Sequence, residues 1–150
     1  NSTYMPLAHG LTLNWLMQLG YGRGYGGDLY PFFKNYWAGG EGSVRGFDTS
    51  SLGPKDNKDK PMGGNVMAAT SLNLYLPQYF GSDMRYGLFV DAGNVFNDSV
   101  DVHDMRASAG ASLQWHTPLN VPITFSYGIP LIKKDGDKVQ RFSVSMSTDL

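Results

Sequence analysis

Six segments of this chain alternate between apolar and polar residues with a period of two, and no helical period competes with them. In 11–21, Leu11, Leu13, Trp15, Met17, Leu19 and Tyr21 share one face, against Thr12, Asn14, Leu16, Gln18 and Gly20. In 65–76 the face of Val66, Ala68, Thr70, Leu72, Leu74 and Leu76 opposes one bearing Ser71 and Asn73. The segment 85–96 sets Tyr86, Leu88, Val90 and Ala92 against Arg85, Gly87, Phe89, Asp91 and Gly93. Segments 106–115, 123–129 and 141–150 repeat the pattern, the last with Phe142, Val144, Met146 and Leu150 on one face. No Lys, Arg, Asp or Glu falls on an apolar face.

Such segments predict antiparallel β-strands, and the polarity of their faces narrows the choice. A soluble β-sandwich also alternates, but its outer face carries Lys and Glu. Here the polar faces are mostly Ser, Thr, Gly, Asn and Gln, as in the wall of a wet lumen, and the apolar faces suit lipid. Most segments reach the roughly 9–11 residues with which a tilted strand crosses a bilayer. Trp15, Tyr21, Trp115 and Tyr127 stand near the expected strand ends, where aromatic girdles form.

Composition mainly excludes. The 150 residues hold no cysteine, so disulfides and thiolate metal sites are ruled out. A net charge of −1 offers no field for nucleic acid. His9, His103 and His116 are scattered without ligand spacing, and no nucleophile–base or paired-carboxylate constellation stands out. No metal, cofactor or enzymatic activity is expected.

The connections assign the sides. A long stretch, about 22–63, and the segments NDSVDVHD and KKDGDK fall on one side, with PQYFGSDM and HTPLNVP on the other. Outer-membrane barrels carry their longer loops outside, which makes the first set extracellular. Six strands fall short of the roughly eight that close the smallest common barrel. An open sheet would leave unpaired backbone in lipid. The expectation for 1–150 is therefore an all-β, antiparallel transmembrane barrel fragment, about six C-terminal strands, or a chain that closes by oligomerising.

Within the long stretch, GGEGSVRGFDTSSLGPK surrounds Arg45 with glycines. Together with PFFKNYWAGG before it, this resembles the long extracellular loop of the BamA family of outer-membrane β-barrel assembly factors. Val44, Arg45, Gly46 and Phe47 stand where that family carries its signature. GGNVMAATSLNLYLP, FVDAGNVF, SAGASLQW and KKDGDKVQRFSVSMS resemble its last strands in order. The resemblance implies that the loop folds into the lumen and that its arginine pairs with acidic residues on the inner wall. Asp91, on a polar face, is the partner that the alternation itself offers. A second acid is common in the family where this chain has Asn73, which can accept a hydrogen bond but brings no charge; Asp48 is a possible substitute.

The resemblance further implies insertion of β-barrel proteins into the outer membrane of a Gram-negative bacterium. Its partners would be unfolded outer-membrane proteins, the lipid bilayer and, through POTRA domains, accessory Bam lipoproteins. Phe142, Val144, Met146 and Leu150 keep the spacing of the terminal strand signal of such barrels, with Leu where an aromatic is usual. The family's last strand pairs with its first across a weak seam, where substrate strands are thought to be templated. Two alternatives stay open: a two-partner secretion transporter of the same superfamily, which exports one cognate protein, and a passive porin-like channel.

Overall fold

The computed structural model describes residues 1–24, 26, 31–77, 83–118 and 121–146. Among these, helix is confined to three single 3₁₀ turns at Ala8–Gly10, Phe32–Lys34 and Val102–Asp104, so any crossing of a membrane is made by strands.

The principal strands are β1 (Ser2–Pro6), β2 (Thr12–Tyr21), β4 (Val66–Tyr75), β5 (Met84–Phe96), β6 (Arg106–His116), β7 (Pro122–Ile132) and β9 (Phe142–Met146). They form one antiparallel seven-stranded sheet in the order β1-β2-β4-β5-β6-β7-β9. Two short strands, β3 (Gly46–Phe47) and β8 (Val139–Gln140), pair separately. Each neighbour in the main sheet follows in sequence, interrupted only by the loop bearing β3 and by β8, so this is a meander. Strand β1 is one more than the six expected. Its five residues are too short to register as alternation, and pairing with β2 from Ser2↔Leu16 to Pro6↔Thr12 forms it.

The two faces divide as their residues dictate. Leu19, Leu72, Leu88, Val90, Ile129 and Val144 lie exposed on the exterior, an apolar surface that water would not leave bare. Asn14, Ser71, Asn73, Asp91, Ser108 and Ser126 are buried on the interior. The girdle needs one correction. Tyr21 and Trp115 are at strand ends, but Trp15 is the fourth residue of β2 and Tyr127 sits mid-way along β7. Strand β7 runs past Ile129 because a register shift, Ala107↔Ile132 followed by Ser108↔Pro130, makes a bulge where proline cannot donate to the ladder.

The connection from β7 to β8 turns at Lys134–Asp137, closed by the Asp137 N–H on the Lys134 carbonyl (3.1 Å), with Gly136 at φ +84°. The connection 77–84 and the end 147–150 fall largely or wholly outside the described residues, and with them the Leu150 expectation.

Candidate functional site

The segment between β2 and β4 builds its own small core. Ala38, Val44, Phe47 and Leu52 bury themselves with Val95 of β5, and Tyr36 and Met67 pack alongside. Antiparallel bridges Tyr36↔Gly64, Ala38↔Leu52 and Lys55↔Pro61 tie the segment across itself. Its tip is a tight turn. The Ser43 N–H donates to the Gly40 carbonyl (3.1 Å) and the Gly40 N–H to the Val44 carbonyl (3.0 Å).

From that tip Val44 and Phe47 point into the loop core, whereas Arg45 crosses to the sheet. Its guanidinium and backbone meet Asp91 three times. Nε donates to Oδ2 at 2.7 Å, Nη2 to Oδ1 at 2.7 Å, and the backbone N–H to Oδ2 at 3.0 Å. The Ser71 hydroxyl adds a fourth bond, to Oδ1 at 2.5 Å. A carboxylate has about four acceptor positions, so that of Asp91, 0% exposed, is saturated. Nη2 also donates to Ser71 Oγ (2.9 Å) and Asn73 Oδ1 (2.7 Å). Asn73 turns its amide N–H to Asn14 Oδ1 at 3.2 Å and to Ser71 Oγ at 3.2 Å. Underneath, the guanidinium carbon lies 3.6 Å from the centroid of the Phe89 ring, the cation–π arrangement that partly replaces lost water. Asp48 stays local, its carboxylate accepting the Thr49 N–H at 2.9 Å.

The backbone approach is possible only because two glycines meet. Gly46 has φ +89°, a conformation costly for any residue with a Cβ. Opposite it lies Gly128 of β7, where a Cβ would stand 2.8 Å from the Gly46 nitrogen and 2.9 Å from its Cα. Beyond this contact β3 pairs with β8, Gly46↔Gln140 and Phe47↔Val139, and the Asp48 N–H reaches the Lys138 carbonyl at 2.9 Å. The loop therefore touches β4 and β5 through Arg45 and the β7–β9 end through its backbone.

A second ionic group holds the loops together two residues further along β6 from Ser108, the partner of Asp91 in the ladder. Asp137 accepts from Arg106 (2.8 and 3.1 Å) and from the Lys134 N–H (2.8 Å). Lys55, from the long loop, lies 3.8 Å from it and donates to the Gly136 carbonyl; Lys134 pairs with Asp104. Burial alone would raise the Asp137 pKa, but the Arg106 and Lys134 hydrogen bonds and the Arg106 and Lys55 charges outweigh it and hold it below the usual carboxylate range.

Of the residues singled out by sequence, Val44, Arg45, Gly46, Phe47, Asp91 and Asn73 are brought together. Phe142, Val144 and Met146 lie apart from them, exposed on the exterior face of β9. Ser71, Phe89 and Gly128 were not singled out as site residues. Phe89 had a signal: a lone aromatic on a face otherwise small and polar, two residues before Asp91. Among the described residues no cluster of three or more His, Asp or Glu side chains suits a metal ion. The arrangement fixes a conformation; it holds no nucleophile poised beside a base.

A lipid-facing antiparallel sheet with a loop pinned to its interior by a buried ion pair defines a transmembrane β-barrel of the outer-membrane class. The sequence model described as the Omp85 superfamily domain matches residues 1–150, and the chain belongs to that superfamily. It is 34% identical over 179 residues to the outer membrane protein assembly factor BamA of Neisseria meningitidis serogroup B, covering 97% of this chain and 22% of that protein. BamA of Nitratidesulfovibrio vulgaris is 30% identical over 128 residues, covering 80% and 16%. A crystal structure of BamA from Haemophilus ducreyi lacking POTRA domains 1-3 superposes with a TM-score of 0.83 at 34% identity, covering 97% of this chain and 34% of that one. The chain thus spans about a fifth of the first of these relatives and is a C-terminal-type barrel portion of a Gram-negative outer-membrane protein.

Proposed function

We propose that the protein to which this chain belongs is a BamA-type factor that folds and inserts β-barrel proteins into the outer membrane, and that the Arg45 loop is the brace that keeps its barrel competent to do so. The observation that carries this reading is the saturated Arg45–Asp91 pair at the end of a glycine-hinged loop. Taking two charges out of water is costly, and such pairs are retained where they fix one geometry among several. The reading is non-enzymatic and uses no cofactor.

The loop spans the interior from β4 to the β7–β9 end. It thereby sets the curvature of the strands that lead to β9, the last strand of the described sheet. Unfolded outer-membrane proteins would add a strand at the edge of such a strand, gaining main-chain hydrogen bonds that lipid cannot supply. Accessory lipoproteins would bind through POTRA domains, and the apolar exterior meets the bilayer. Asn73 in place of a second acid leaves Asp91 as the one carboxylate on the guanidinium, with Ser71 and Asn73 as neutral acceptors. The assembly-factor names of the relatives favour this reading over an exporter or a porin.

The test reconstitutes the full-length parent protein in liposomes and adds a urea-unfolded barrel protein. Folding is followed by heat-modifiable mobility on gels. Several-fold faster folding than in empty liposomes is expected. Equal rates, with passage of one cognate secreted protein or of ions alone, would replace the reading by exporter or channel.

A further inference from the structure

The turn that carries Arg45 makes one further contact, and it falls on the edge strand itself. Glu41 is at the tip, one residue past the Gly40 carbonyl that accepts the Ser43 N–H. Its carboxylate Oε1 accepts the Ser143 hydroxyl at 2.5 Å, across 102 residues of sequence. Ser143 is on the interior face of β9, in register with Ser126 of β7. Among the described residues β9 pairs with β7, through five residue pairs. The loop's contacts with the segment leading into this strand fall between Gly136 and Gln140, before β9 begins. Asp91 and Ser143 lie three strand steps apart across the sheet, and the registers set Ser143 level with Gly87, four residues along β5 from Asp91. A cavity of about 210 Å³ beneath the tip is lined by both Glu41 and Arg45, together with Asn73 of β4 and Ser145 of β9.

We infer that Glu41 is a positioning residue for the edge strand: its hydrogen bond to Ser143 couples β9 to the Arg45–Asp91 lock. One five-residue span of loop then has an anchor at each end, Glu41 on β9 and Arg45 on β4–β5. A glycine at 42 and a closed turn between them leave little slack. A charged acceptor makes the Glu41 bond stronger than a hydroxyl–amide bond in the same place. Without it β9 keeps its ladder to β7 but loses its tie to the interior, so its edge opens more often. The consequence for incoming substrate strands rests on the assembly reading; the contact itself does not.

The test is hydrogen–deuterium exchange on the full-length parent protein in nanodiscs, without substrate. Glu41→Leu removes the acceptor at similar size, Ser143→Ala removes the donor, and Glu41→Gln keeps a carbonyl acceptor. Exchange in Phe142–Met146 is expected to rise roughly fivefold in Glu41→Leu and in Ser143→Ala, less in Glu41→Gln, and no further in the double variant. Asp91→Asn, which releases the other anchor, is expected to raise exchange in Phe142–Met146 as well, and no rise there overturns the coupling to the lock. Unchanged β9 exchange in Glu41→Leu, or a double variant that adds the two effects, overturns the coupling. Failure of the liposome folding assay would overturn the assembly reading and leave this result standing.

Discussion

Replacing Asp91 by Asn keeps the shape of the lock and removes its charge. In the native site the Arg45 side chain is 11% exposed and that of Asp91 1%, so water cannot take over as partner. Three hydrogen bonds from Arg45 end on the carboxylate. In the variant one oxygen still accepts, but the amide N–H₂ faces a guanidinium that is all donors. Ser71, Asn73 and the Phe89 ring soften the loss without supplying a counter-charge. Removing one partner of a buried pair costs about 3–5 kcal/mol, chiefly because the other charge stays buried alone. Most of that cost is expected here. The assay is urea titration of the detergent-solubilised parent, reading the SDS-resistant folded band. Asp91→Asn should lower the transition midpoint strongly, and adding Arg45→Met should recover part of the loss, since no cation then lacks a partner. A shift below about 1 kcal/mol for Asp91→Asn, the range of solvent-exposed pairs, would refute the reasoning.

Other outcomes follow from neighbouring features. Gly128→Ala would press a Cβ onto the Gly46 backbone, which cannot yield as a side chain tip could, so about 1–3 kcal/mol of loop docking should be lost; protease cleavage within 39–55 would report it. Phe89→Leu removes the ring beneath the guanidinium while keeping an apolar side chain, and should cost about 1–2 kcal/mol in the same urea titration. The Asp137 group gives a pH dependence. Its folded pKa is depressed, so its contribution is complete above the ordinary carboxylate value and is lost as pH falls through the lower folded value. Exchange protection of 133–138, corrected for intrinsic rates, should hold from pH 7 to 5, decline below about pH 4, and lose that step in Asp137→Asn.

The fold was legible because a barrel wall is a two-faced object and its sequence records both faces. Leu88 and Val90 against Phe89 and Asp91 read directly as outside against inside. Strand β1 was not legible, since five residues carry too little alternation and its formation depends on β2. Tyr127 was misplaced because a bulge at Pro130 lengthens β7, and local pattern does not encode a register shift between strands. For the site, glycine density marked the loop, the polar face of its strand supplied Asp91, and the family resemblance pointed to Asn73. The closeness of Gly46 to Gly128, and of Glu41 to Ser143, lies in tertiary geometry across 82 and 102 residues. Nothing in either segment alone announces it.

The most direct test of the central account is Arg45→Ala in the full-length parent, produced in cells depleted of their own copy. Folded porin in the outer membrane is measured beside the amount of mutant that has itself inserted. The account predicts that folded porin falls several-fold while the mutant still reaches the membrane. Normal porin levels with a fully inserted mutant would contradict it, because the lock would then be dispensable for assembly.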